Sequence, residues 1–201
     1  MLHMVSAWTA ENELILGQIK TREKSNEITA IPELLNLLVI KGCIITIDSM
    51  GCQKKIAEQI IKQEGDYLLA VKENQGKLYQ AMEKTFESSK EQEFKNMVYD
   101  MDESLDCGHD RIETRRCTVL PLMYLYHFKM KWKGLQNLIM IESKREIQDT
   151  IQTEKRYYIS SLSSSAKEFS DMIRSHWGIE NRVHWVMDVV FREDNCRVSN
   201  E

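Results

Sequence analysis

Two β-prone runs, residues 2–8 and 14–20, flank a polar stretch over residues 9–13, and the pattern predicts a hairpin with a five-residue loop. Ser25 or Asn26 can cap a helix continuing to Leu38, with Pro32 tolerated only in its first turn. An apolar, β-branched run then opens at Gly42 and ends on Asp48, where a buried strand is expected to emerge. Ile56, Ala57, Ile60 and Ile61 give residues 54–63 helical spacing, and residues 66–72 read as another strand. Strand, helix and strand with short links predict a parallel βαβ unit with a right-handed crossover.

A turn at Asn74, Gln75 and Gly76 leads into a helix over 77–88. From about 91 to 155 the chain is mixed and charged, with strand-like pieces at 111–120, 122–131 and 135–142. One more strand is expected at 156–162, and three serines, 163–165, precede a long final helix beginning near Ala166. At about 100° per residue, Met172, Ile179, Val183, Val186 and Val190 form an apolar stripe on that helix. His176, Glu180, His184 and Asp188, spaced by four, climb from beside the stripe, which puts Glu180 at the margin between core and solvent.

Composition narrows the class without naming it. The 201 residues are 42% hydrophobic and 29% charged, as expected of one sizeable domain with room for an insertion. No apolar run is long enough to span a membrane, and residues 1–8 lack the pattern of a secretory leader, so the expectation is a cytoplasmic protein. Five cysteines with no Cys-x-x-Cys spacing predict free thiols rather than a disulfide framework or zinc ribbon. A net charge of −4 is not that of a typical nucleic-acid binder. Local basic groups do occur, at Lys54-Lys55, at Arg111 with Arg115-Arg116, and at Lys129, Lys131 and Lys133 around Trp132, and each also fits a solvated face.

The chemistry concentrates in two carboxylates far apart in sequence. Asp48 at a strand end and Glu180 among His176, Trp177, Asn181, His184 and Trp185 offer hard oxygen ligands of the kind that hold Mg²⁺. Plainer readings stand beside this one: Asp48 as a helix N-cap, and the His176, Glu180, His184 series as i, i+4 pairing on an exposed face. A zinc site from His176 and His184 lacks a suitably spaced thiolate.

Several ordered blocks resemble one family. They are Val5-Ser6-Ala7-Trp8, the stretch from Lys24 to Leu35, Thr46-Ile47-Asp48 with Met50-Gly51-Cys52-Gln53, the stretch from Gly65 to Lys72 with Asn74-Gln75, Gly108-His109, the stretch from Arg111 to Arg115, and His176-Trp177-Gly178-Ile179-Glu180-Asn181. Together they resemble insertion-sequence transposases of the DDE class, specifically the H-repeat-associated family, over essentially the whole chain. The resemblance implies an α/β, ribonuclease H-like core: a mixed sheet with flanking helices, a single core over 1–201, and a strand-rich insertion at about 91–155. It implies Asp48 and Glu180 as the second and third catalytic acids and ligands of Mg²⁺ or Mn²⁺. Arg111, Arg115 and His176 are the candidate DNA contacts.

Its implied activity is metal-dependent DNA strand cleavage and transfer, with insertion-sequence ends as the DNA partner and a further copy or an intact transposase as the protein partner. Residues 1–10 contain no Asp or Glu, and residues 2–8 align with the second strand of such a core. The first, central strand and its acid are therefore expected to be missing and the chain truncated at both ends. The alternative expectation is a non-catalytic remnant that binds DNA or intact transposase and interferes with transposition.

Overall fold

In the computed structural model, residues 3–21, 27–108, 111–147 and 150–179 are described, and they form a mixed α/β protein. The chain divides into two compact units, one of residues 1–39 with 172–201 and one of residues 40–171. No helix among the described residues is long and apolar enough to cross a membrane.

In the first unit β1 (His3–Thr9) and β2 (Leu14–Thr21) pair antiparallel, with a bulge between Ala7 and Trp8. The pairing is the expected one, although Thr9 belongs to the strand. Helix α1 (Glu27–Leu37) buries Ala30, Leu34 and Leu35. Leu34 lies so close to Gly17 that a Cβ there would come within 3.2 Å of its Cδ1. Pro32 sits inside α1 beyond the first turn, where its missing N–H removes one helical hydrogen bond. The expected cap residues Ser25 and Asn26 lie outside the described residues.

The second unit is built on a six-stranded sheet of order β3-β4-β8-β7-β6-β5. Strands β3 (Ile44–Ile47) and β4 (Asp66–Val71) are parallel, joined by α2 (Lys54–Lys62), as the sequence predicts. The remaining strands, β5 (Asp100–Gly108), β6 (Arg111–Pro121), β7 (Asn137–Ile147) and β8 (Thr150–Ser160), add on antiparallel. β8 lies directly against β4 and gives it a second hydrogen-bonded edge. At the end of β8 the Ser161 N–H donates to the Tyr67 carbonyl at 3.2 Å and the serine side chains add to it: Ser160 Oγ donates to the same carbonyl at 2.7 Å, and Ser161 Oγ accepts from the Tyr67 N–H at 2.9 Å. Both serines are buried, so these bonds satisfy groups water cannot reach.

Helix α3 (Gly76–Glu91) presents Leu78, Met82 and Phe86 to the core at helical spacing. Phe86 and Tyr79 pack on Tyr157 of β8, with ring centroids 5.9 and 5.3 Å away. Lys90 to Glu142 at 2.8 Å and Lys155 to Glu87 at 3.3 Å tie the exposed rim of the same helix to β7 and β8.

Beyond this core the long strands continue as an arm. Residues 150–155 of β8 are exposed, and opposite charges face one another across the ladder: Glu103 against Arg116, and Glu113 against Arg145.

Three expectations are corrected. Residues 122–131 were expected as a strand, but Leu122–Phe128 forms a 3₁₀ run with a kink at Leu125. Its buried residues Leu122, Leu125 and Phe128 are spaced by three, the period of a 3₁₀ helix. β5 was not expected at all, because Asp100, Asp102, Glu103 and Asp106 mask its alternation. The β3 run was expected to be buried, yet Ile44 is 43% exposed and its neighbours are half-buried, because β3 is the edge of the described sheet. On α4 (Ala166–Ile179) the buried positions are Ala166, Phe169, Ser170 and Ile173, while Met172 is half-buried.

The α3 packing yields a direct test. Phe86→Ala is expected to destabilise the protein by about 3–5 kcal/mol, whereas exposed Met123→Ala changes stability by less than about 0.5 kcal/mol. Urea unfolding followed by circular dichroism measures both.

Candidate functional site

Asp48 follows β3 directly, at the carboxyl end of a strand paired in parallel with β4. In open α/β sheets this is the end where ligands bind. The Asp48 Oδ1 atom accepts hydrogen bonds from the backbone N–H of Met50 at 3.1 Å and of Gly51 at 3.4 Å. These bonds form an Asx-type turn that holds the carboxylate against its own loop. Helix α2 starts later, with Gln53 at its cap position, so Asp48 is not the α2 N-cap. The side chain is exposed, and its Oδ2 makes no hydrogen bond to a described residue.

The loop bearing Asp48 is tied to the segment that leaves β4. Asn74 Nδ2 donates to the Ser49 carbonyl at 2.5 Å, and Gln75 Nε2 donates to the Cys52 carbonyl at 2.9 Å. Both amides belong to the short 3₁₀ turn Glu73–Gln75. Two neighbouring loops at the same strand ends are thereby joined by side chain to backbone bonds. The sequence reading used Asn74 and Gln75 as turn formers and as part of a resemblance, and missed this role. Adjacent amide side chains immediately after a strand end were the available signal.

Under the loop lies Cys52, wholly buried. Burial, and then the negative charge of Asp48, push its thiol up to about 12 from the ordinary 9.0. Burial and Asp102 with Asp100 do the same to Cys117, also up to about 12. Tyr67 is raised too, first by burial and then by Cys52 and Asp66. The four described cysteines are free thiols, as expected, and Cys196 lies outside the described residues.

Glu180 lies outside the described residues, so its relation to Asp48 is an expectation. His176 is on α4, half-buried, with its ring edge-on to Trp177 at 6.1 Å between centroids. Arg111 and Arg115 are on β6, four strand steps from β3, or about 19 Å across the sheet at the usual strand spacing. The ladder registers also place both further along the arm than the level of Asp48. They are therefore not beside Asp48. Arg115 Nη2 pairs with Glu113 Oε1 at 2.8 Å, and Arg145 Nε approaches the other oxygen of Glu113 at 3.4 Å.

Among the described residues no group of three His, Cys, Asp or Glu stands together to hold a metal ion. Asp48 has the right donor chemistry for a hard cation, but one carboxylate does not complete a ligand set.

A family model described as a transposase DDE domain matches residues 1–201. The chain is 47% identical over 206 aligned positions to the H repeat-associated putative transposase YhhI of Escherichia coli K12, covering 98% of this chain and 53% of that one. It is 48% identical over 201 positions to the putative transposase YncI of Escherichia coli O157:H7, covering 98% and 51% respectively. It is also 47% identical over 206 positions to the putative protein YbfL of Escherichia coli K12, covering 98% and 53%. The chain thus spans about half the length of these curated relatives.

Two outcomes follow from the loop. Asn74→Ala and Gln75→Ala each remove a donor from a loop carbonyl, which is expected to cost about 1 kcal/mol and to speed hydrogen exchange at the Met50 and Gly51 amides. Unchanged exchange there would show that the amides do not hold the loop. The thiols give the second. Because Cys52 and Cys117 keep their protons in the fold well above 9.0, stability is unaffected below that pH and falls as the pH rises from about 9 towards about 12. Tyr67 acts in the same direction. Urea midpoints at about pH 8 and about pH 10.5 measure the decline.

Proposed function

Because this chain belongs to the DDE transposase family and matches its H repeat-associated members, we propose that it forms a ribonuclease H-like catalytic core, or part of one, for DNA strand cleavage and transfer. Asp48 and Glu180 are assigned as two of its acids. The observation that carries this reading is the placement of Asp48 at the carboxyl end of β3, fixed by two backbone amides, with its second oxygen turned to no described partner. On this reading 1–201 is one core, and the strand-rich stretch from about 91 to 155 is an insertion in it.

β3 is the edge of the six-stranded sheet among the described residues, with Ile44 exposed and Ile45, Thr46 and Ile47 half-buried. A core of this type has a further strand along that edge, which is the strand that carries its first acid.

Asp48 and Glu180 would hold the divalent ion, Mg²⁺ or Mn²⁺, through oxygen atoms. Such an ion, once bound, polarises a phosphoryl oxygen and activates the attacking one. The chain's own part is orientation. The Met50 and Gly51 amides fix one oxygen of Asp48, and Asn74 and Gln75 hold the loop that supplies those amides. The cost of ordering the carboxylate is thereby met on folding rather than on binding. DNA is the proposed substrate, with Arg111, Arg115 and His176 as proposed contacts, and a further copy or an intact transposase as the protein partner.

The alternative role, a non-catalytic association with DNA or with intact transposase, is separated from the first by metal chemistry. With Fe²⁺ in place of Mg²⁺, ascorbate and peroxide are expected to cut the backbone near Asp48 and near Glu180, and Asp48→Asn or Glu180→Gln is expected to abolish both cuts. Mn²⁺ binding followed by electron paramagnetic resonance should weaken at least about tenfold in either variant. Cutting that ignores both substitutions would remove the metal assignment. Metal-dependent cleavage of element-end DNA that survives in Asp48→Asn would remove the catalytic one.

A further inference from the structure

The connection between β6 and β7 carries chemistry that the site at Asp48 does not use. No Asp or Glu occurs anywhere in residues 114–141, although the chain as a whole has a net charge of −4. Within that stretch Lys129, Lys131 and Lys133 are exposed, and none forms an ion pair with a described residue. Lys41, Lys62, Lys90, Lys95, Lys144, Lys155 and Lys167 each meet a carboxylate, whereas Lys20, Lys54, Lys55, Lys72, Lys77 and Lys84 also form no ion pair with a described residue, so what sets the three apart is their clustering in an acid-free stretch.

The lysines are placed rather than loose. Lys129 Nζ stands 5.1 Å from the centre of the Tyr126 ring, and Lys131 Nζ stands 5.3 Å from that of Phe128. Leu122, Leu125, Phe128 and Trp132 are buried beneath them and anchor the segment. Tyr124 adds a tie, accepting the Val98 N–H on its hydroxyl at 2.7 Å. Gly134 closes the segment at φ +76°, so near α2 that a Cβ would fall within 2.8 Å of Ile61 Cδ1. On the outer side Tyr126 is 62% and Met130 92% exposed, so aromatic and apolar surface lies among the positive charges.

Topology fixes where this surface is. The segment follows Pro121 and precedes Asn137, whose register partner is Ser160 at the start-of-β4 end of β8. Asp48 is at the other end of the β3-β4 pair. Asn137 is level with Leu68 and Asp48 follows Ile47, which is level with Leu69, so the segment leaves the sheet two residue steps, about 7 Å, from the level of Asp48 and on the opposite side.

We propose that Lys129, Lys131 and Lys133, with Tyr126 and Met130, form a second DNA contact surface at the end of the sheet opposite Asp48. The inference rests on the DNA reading above and deepens it. Three uncompensated ammonium groups on a connection anchored by buried side chains fit successive phosphates, and the exposed ring and thioether fit the sugars between them. A contact of this kind binds without reading sequence, and it anchors DNA beyond the reacting phosphate.

The test is fluorescence anisotropy of the 201-residue chain with a labelled duplex of about 30 base pairs and arbitrary sequence, over a range of salt. The combined variant Lys129→Gln, Lys131→Gln, Lys133→Gln is expected to bind at least about tenfold more weakly near 0.1 M salt, with the slope of log K against log salt reduced by about 2–3. A variant with the same change of net charge elsewhere, Lys20→Gln, Lys95→Gln, Lys167→Gln, should keep most of the slope. All substituted side chains are exposed, and circular dichroism and thermal melting confirm that the folds match. Equal loss in both variants, or none in the first, overturns the surface and leaves the DNA reading intact. A parent chain that does not bind duplex at all overturns both. If the first variant instead loses self-association in sedimentation while holding DNA as before, the surface is an interface between copies and the proposal fails.

Discussion

β4 is the strand on which the larger unit depends, because it has to satisfy hydrogen-bonding edges of two kinds at once. Toward β3 it pairs in parallel, which requires a crossover and therefore α2. Toward β8 it pairs antiparallel, with a strand nearly ninety positions later in the chain. At Tyr67 the Ser161 N–H still donates to the Tyr67 carbonyl, and the side chains of Ser160 and Ser161 add a bond to each of the Tyr67 backbone groups. Asp48 reaches its position through this arrangement: β3 is held by β4, and the loop after β3 is held by the turn after β4.

The two halves of the large sheet are stabilised differently. Near β4 Ile56, Ile60, Met82 and Phe86 of α2 and α3 are buried together with Leu68, Leu69 and Tyr157 of the sheet, and Phe86 packs on the Tyr157 ring. In the arm residues 150–155 of β8 are exposed while Glu113 and Ser143 are buried, and the ladder itself with facing charges such as Glu103 and Arg116 keeps the strands together. Exposed ion pairs contribute little each, so the arm depends on continuity with the buried half. Arg111 and Arg115 belong to this arm, on β6.

Much of this was legible in the sequence, for reasons that differ by element. The β3-α2-β4 unit announces itself because Ile56, Ala57 and Ile60 recur at helical spacing between two β-branched runs. The residue types around Asp48 marked a strand end, but not its environment. Whether a β-branched run is buried or lies at an edge depends on what pairs beside it, which no local pattern encodes. β5 was hidden because a strand exposed in much of its length has no apolar period to detect. In residues 122–128 the apolar spacing of three was present, but over so short a window it reads as readily as a strand. The hydrogen bonds from Asn74 and Gln75 depend on two loops meeting in space, and only the fold brings them together.

The connection between β6 and β7 divides its positions by duty. Leu122, Leu125, Phe128, Trp132 and Gly134 hold it to the rest of the unit, and the tight contact at Gly134 leaves no room there for a side chain. Met123, Tyr126, Lys129, Met130, Lys131 and Lys133 face outward and take no part in that hold. Substitutions at outward positions of this kind change stability by only a few tenths of a kcal/mol. Mutation can therefore rewrite the charge and shape of this surface while the scaffold beneath it stays constant, so descendants of one fold can acquire different outer surfaces without first having to find a new way to fold.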